Sequence, residues 1–181
     1  MIYLVACRFT DESDPARESQ WNDYYDGPKL DALLSLDGFT GSQRFRCAHA
    51  HPAPYLALHT ITGPEVMDQH YRDAGGGGFG GWEPWISNWT RDLFTGLDES
   101  PEVAPGSYLA ITADESTAQA LTGIDFAWLV NGGLDGSVDR LALAILDEED
   151  GSDLLAFRPT ALNLYRPITD RRTRPGASAT S

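Results

Sequence analysis

The order in which the hydrophobic period changes along the chain limits what it can fold into more than any other feature. Ile2 to Phe9 is β-branched and aromatic and runs into Thr10-Asp11-Glu12-Ser13, which reads as a strand followed by a turn. Asp14-Pro15 opens a helix, with the acid as N-cap and proline at the first helical position. Trp21, Tyr24 and Tyr25 fall at i, i+3 and i+4 and mark its buried stripe. Gly27-Pro28 is expected to stop that helix, and a shorter one with Leu30, Leu33 and Leu34 on one face ends at Gly38. Phe39 to Ala48 and Tyr55 to Ile61 alternate as strands across the turn from His49 to Pro54. A second helix is expected from about Pro64 to Ala74, and a fourth strand within Ser87 to Leu97. Strand, helix, strand, strand, helix, strand is the order of a split β-α-β unit.

A weaker copy of the order follows. Ser107 to Ala113 reads as a strand, Glu115 to Thr122 as a short helix, and Asp125 to Asn131 and Leu141 to Leu146 as strands. Gly151 to Phe157 reads as at most one helical turn, and Thr160 to Ile168 as the last strand. The fold class expected is α+β: tandem βαββαβ repeats, the second with reduced helices, forming an α/β barrel. The units are residues 1–98 and 107–170, joined by Glu99 to Gly106, with a disordered tail over 171–181.

At Trp21-Asn22-Asp23-Tyr24-Tyr25-Asp26-Gly27-Pro28-Lys29-Leu30, then Leu33-Leu34 and Gly38-Phe39, the chain resembles the dimeric α/β-barrel superfamily, particularly its EthD-like members. The strand Gln43-Arg44-Phe45-Arg46 and the pattern Pro54-Tyr55-Leu56-Ala57-Leu58 fit that resemblance, which covers roughly residues 1–97. It implies two ferredoxin-like units whose sheets face each other, supplied here by one chain; a homodimer is also allowed. Related activities include isomerases, cofactor-free monooxygenases, polyketide cyclases and haem enzymes. Related sequences often carry a histidine where this chain has Lys29, so a mechanism resting on that histidine does not transfer.

Alternation along the strands selects candidate site residues. With Leu56, Leu58 and Phe45 placed against the helices, Tyr55, His59, Arg44 and Arg46 fall on the opposite face, the expected interior of a hollow barrel. In the second half Leu162 and Leu164 are placed against the helices, with Asn163 and Tyr165 inward. His59 suits proton transfer, Arg44 an oxyanion, and Tyr24 and Tyr55 the positioning of a substrate. Arg46, Asn163 and Tyr165 are expected to contact it.

The run Gly75-Gly76-Gly77-Gly78-Phe79-Gly80-Gly81-Trp82-Glu83-Pro84-Trp85 follows a helix and lacks the lysine and hydroxyl residue of a phosphate loop. Phe79, Trp82, Trp85 and Trp89 offer flat apolar surface on a pliable segment, the expected mouth of a pocket for a ring-containing ligand.

His49 and His51, with His59 or His70, could supply three nitrogen ligands, but Pro52 and Pro54 mark a loop and no carboxylate spacing supports a site. No metal and no cofactor is expected. Cys7 and Cys47 are expected unbonded, because the first and second strands should flank the third and so lie two strand spacings apart, roughly 9.6 Å, beyond the ~7 Å a disulfide tolerates. A formal net charge of −14 disfavours nucleic acid and anionic membrane surfaces as partners. The start, Met1 to Arg8, reads as a strand rather than a leader, and no apolar run approaches a membrane span, so the expected compartment is cytoplasmic. The function expected is a small cofactor-independent enzyme doing lyase, isomerase or cyclase proton-transfer chemistry on an apolar ring-containing metabolite. The alternatives are a cofactor-free monooxygenase and a non-catalytic ligand-binding or assembly protein.

Overall fold

The computed structural model describes residues 1–11, 13–73 and 78–174, apart from the side chain of Gln69. The middle of the glycine run and the tail from Pro175 onward therefore lie outside the described residues. The first half holds β1 (Ile2–Phe9), α1 (Pro15–Tyr24), α2 (Leu30–Ser35), β2 (Phe39–Cys47), β3 (Tyr55–Ile61), α3 (Gln69–Asp73) and β4 (Ile86–Thr95). The second holds β5 (Tyr108–Thr112), α4 (Glu115–Ala120), β6 (Ala127–Leu134), β7 (Arg140–Leu146), α5 (Glu148–Phe157) and β8 (Asn163–Pro167), and β9 (Arg172–Thr173) follows.

Eight strands pair in the order β3-β1-β4-β6-β7-β5-β8-β2, and β2 returns to β3, closing an antiparallel barrel. β1 and β2 flank β3, as the sequence implied, and Cys7 and Cys47 are both free. The two halves have corresponding strand orders, β2-β3-β1-β4 and β6-β7-β5-β8. They meet at the β4–β6 and β8–β2 seams. Closure matters energetically: each seam pairs edges that would otherwise expose a row of unmet N–H and C=O groups.

The barrel is not hollow. Ile2, Leu4, Phe45, Leu56, Leu58, Phe94, Leu109, Ile111, Leu129, Leu141 and Leu143 form one buried cluster drawn from seven of the strands, and Tyr165 brings in the eighth. Full burial of such side chains stabilises by roughly 1.5–3 kcal/mol each relative to exposure. The expected linker is part of this core. Val103 inserts into the cluster, its N–H donating to Gln43 Oε1 at 2.9 Å and its carbonyl accepting from Gln43 Nε2 at 2.8 Å. Ser100 N–H donates to Thr60 Oγ1 at 2.9 Å. The linker therefore caps one end of the barrel.

Four local expectations change. Gly27-Pro28 does not stop the first helix: Tyr25–Lys29 is a widened π turn that carries α1 into α2. Proline has no N–H to offer and crowds the carbonyl four residues back, and widening the turn accommodates both defects. The second helix is a 3₁₀ turn, Pro64–Met67, followed by the short α3, whereas α5 is ten residues long rather than one turn. Arg171 to Arg174 are not loose: β9 pairs with Gly41 and Ser42, and Arg172 Nη1 donates to Asp26 O at 2.8 Å.

Candidate functional site

Of the side chains chosen from the sequence, Arg44, Tyr55 and His59 lie on the outer surface of the barrel, in the layer beneath α1 and α2. Tyr3, Val5, Cys7, Tyr55 and Ala57 pack there with Trp21, Tyr25, Leu30, Leu33 and Phe39. The alternation of β2 and β3 is as expected but inside out. Phe45, Leu56 and Leu58 face the barrel centre, and Arg44, Tyr55 and His59 face the helices. A packed aliphatic centre takes the apolar faces of all strands, so the mixed aromatic and polar face is left for the helix layer.

Arg44 is 1% exposed, with its guanidinium 4.2 Å from the Tyr25 ring centroid and 5.0 Å from that of Trp21. It pairs with Asp26 and donates to Asn22 Oδ1 at 2.9 Å. These contacts consume most of its donors and anchor α1 and the π turn to the sheet. Tyr55 Oη donates to Glu18 Oε1 at 2.5 Å. Arg46 is exposed, 3.7 Å from Glu18. Tyr24 lies under the loop beside Trp82, at 6.4 Å between ring centroids. None of these four side chains borders the void described next.

His59 does border it. A void of about 10 Å³, room for about one water, is lined by Tyr3, Tyr25, Lys29, His59, Tyr71 and Phe79 among others. Tyr3 stacks on His59 at 5.4 Å and its hydroxyl lies 2.9 Å from that of Tyr71. His59 is 1% exposed, and its Nδ1 is buried with no hydrogen-bond partner among the described residues. Burial, with Lys29 and then Arg44 nearby, lowers its pKa to about 3, so the ring is neutral at physiological pH. Lys29 comes from the last position of the π turn; burial lowers its pKa to about 8, partly opposed by Glu83. Its Nζ donates to Gly78 O at 2.7 Å. A second void of about 10 Å³ shares Val5 and Tyr25 as its wall and reaches Trp21 and Arg44. Trp21 Nε1 is likewise buried and unpaired.

The described part of the glycine segment forms the outer wall. Phe79 is 3% exposed and meets Trp89 edge to face at 5.1 Å. Glu83 ties the turn together, accepting from Phe79 N–H at 2.8 Å and Gly81 N–H at 2.9 Å. Trp82 and Trp85 lie 5.9 Å apart and pack on Phe9 and Arg17 rather than on the void. Asn163 and Tyr165 sit elsewhere. Tyr165 is in the barrel core as expected, and Asn163 accepts from His49 Nε2 at 3.3 Å.

Lys29 is the residue that sequence reasoning passed over, noted only as a departure from a histidine pattern. Its signal was present: a lysine inside an otherwise apolar helical stripe, one residue before Leu30. Among the described residues no group of three histidine, cysteine, aspartate or glutamate side chains is close enough to hold a metal ion, and no helix is long and apolar enough to cross a membrane.

No protein-family model and no curated protein matches the chain. Solved structures do resemble it in fold. An anthrone oxidase-like protein superposes with a TM-score of 0.58 at 10% identity, over 99% of this chain and 96% of that one. A structure described as a putative monooxygenase from Lactobacillus acidophilus NCFM gives a TM-score of 0.52 at 10% identity, over 96% of each chain.

Proposed function

We propose that this protein is a cofactor-independent enzyme that takes a proton from an enolisable, ring-containing apolar substrate, the resulting enolate then reacting with O2. The observation that carries the proposal is one void lined both by His59, whose buried Nδ1 has no partner among the described residues, and by Lys29, whose ammonium is destabilised. A general base works best with a pKa near the working pH. Lys29, at about 8, meets that condition, and His59, at about 3, does not. The acid–base role therefore passes to neutral Lys29. The ammonium it becomes stands next to the enolate it creates. Neutral His59 binds the substrate oxygen, accepting from a phenol or donating to a carbonyl according to its tautomer. Oxygenation of a ring CH2 beside a carbonyl balances as CH2 + O2 giving C=O + H2O. The names of the two structural neighbours, an anthrone oxidase-like protein and a putative monooxygenase, favour this outcome over isomerisation or elimination. The fold is read accordingly as two ferredoxin-like units in one chain, of which the first bears the site.

A void of this size admits no such substrate, so Phe79 and Gly78 must swing outward to let it in. The test is O2 uptake with tricyclic enolisable ketones as substrates. Wild-type protein should consume O2 with a rate that rises through about pH 8, and Lys29→Met should lose ~10²–10⁴-fold. O2 uptake that survives Lys29→Met unchanged would remove Lys29 from the reaction.

A further inference from the structure

A carboxylate-free cleft lies at the seam between the two halves, away from Lys29 and His59. It has a volume of about 370 Å³, within the range of small-molecule sites, and is formed where the end of α5 meets the start of β8 and the loop between β2 and β3. Leu154, Leu155 and Leu162 supply an apolar wall; Arg158, His49 and His51 supply the polar one.

Three observations mark this cleft. No aspartate or glutamate lines it, although the chain carries 27 of them against 13 lysines and arginines. Arg158 makes no side-chain hydrogen bond, ion pair or ring contact among the described residues, whereas every other described arginine has at least one such partner or electrostatic interaction. Arg158 also closes α5 at φ 52°, a left-handed position that favours glycine. An acidic chain thus holds an uncommitted guanidinium at a backbone position where a side chain is a cost. The histidines are already oriented: His49 through Asn163 Oδ1, and His51 through its Nδ1, 3.1 Å from Ala53 N and 2.8 Å from Ala53 O.

We propose that this cleft is a second binding site, for an amphipathic carboxylate whose ring or short acyl body lies on Leu154, Leu155 and Leu162 and whose carboxylate meets Arg158. A planar guanidinium matches a carboxylate through two parallel N–H donors, and His49 and His51 sit in the same wall to add further donors. The site is independent of the chemistry argued for Lys29 and His59.

The test is a titration with 1-naphthoate, read by the histidine imidazole signals in NMR, with neutral 1-naphthamide as the control of equal shape. Saturable shifts at His49 and His51 with His59 unmoved, together with at least ten-fold weaker binding of 1-naphthamide and of 1-naphthoate to Arg158→Gln, are expected. Equal binding of acid and amide, an unchanged Kd in Arg158→Gln, shifts centred on His59, or no saturable shift would each overturn the proposal. None of these outcomes bears on O2 uptake, so the two readings fail separately.

Discussion

Lys29 has its charge in the wrong solvent. Only 7% of the residue is exposed, and its pKa falls from an ordinary 10.5 to about 8 because burial penalises the ammonium. Between about pH 8 and 10.5 the unfolded chain therefore binds more protons at this site than the folded one, and stability rises with pH across that window. Below pH 8 both states are charged, and the fold carries the whole penalty, at most about 3 kcal/mol. Lys29→Met should melt higher than wild type at pH 7, with the gap narrowing toward pH 10. Equal melting temperatures at pH 7 would mean that the ammonium is well solvated. His59 behaves alike on the acid side. Its pKa falls from 6.5 to about 3, so stability is lost as pH drops below about 6.5, when the unfolded imidazole takes up a proton that the folded one refuses. A His59→Gln variant, checked by acid titration of the far-UV signal, should unfold at a lower pH than wild type.

At the scale of elements, the glycine segment and the π turn are two halves of one device: the turn presents Lys29, and the segment supplies the carbonyl it donates to. Gly80 is where the segment is least tolerant. Its φ is +61°, and a Cβ there would stand 2.1 Å from Tyr24 Oη. Gly80→Ala should cost about 1–3 kcal/mol in stability and raise KM more than it lowers kcat, since it displaces the wall rather than the base. Adding Tyr24→Ala should recover the part due to collision and leave the part due to φ; full recovery would show that the backbone angle is no constraint. These elements also show what the sequence could tell. The bounds of β3 were legible because turn residues flank it, and it was read as Tyr55–Ile61, as found. Which face of β3 looks inward was not legible. All seven of its residues are buried, so no wet face breaks the tie between two dry ones. In β8 the inferred facing holds: Leu164 meets the α5 side with Leu162, and Tyr165 enters the barrel core. The π turn was illegible for another reason. Gly-Pro ordinarily ends a helix, and only tertiary packing of Tyr25 and Lys29 against the sheet keeps this one going.

At the scale of the whole molecule, the barrel makes the two halves necessary to each other even though their strand orders correspond. The first half keeps a helix-covered face of its own, with Trp21, Tyr25, Leu30 and Leu33 against β1 and β3. Its other face, Ile2, Leu4, Phe45, Leu56, Leu58 and Phe94, is dry only because Leu109, Ile111, Leu129, Leu141 and Leu143 arrive from the second half. Six large side chains at roughly 1.5–3 kcal/mol each come to about 9–18 kcal/mol, as much as the 5–15 kcal/mol by which a domain is ordinarily stable at all. The edges β4 and β2 would also be bare without β6 and β8. A fragment of residues 1–97 should therefore fold only by pairing with a second copy of itself, or not fold. Sedimentation of the refolded fragment decides the matter: a dimer or an aggregate is expected. A cooperatively melting monomer would mean that the shared core contributes far less than its burial implies, and the candidate site, which lies wholly in this half, could then be studied without the other.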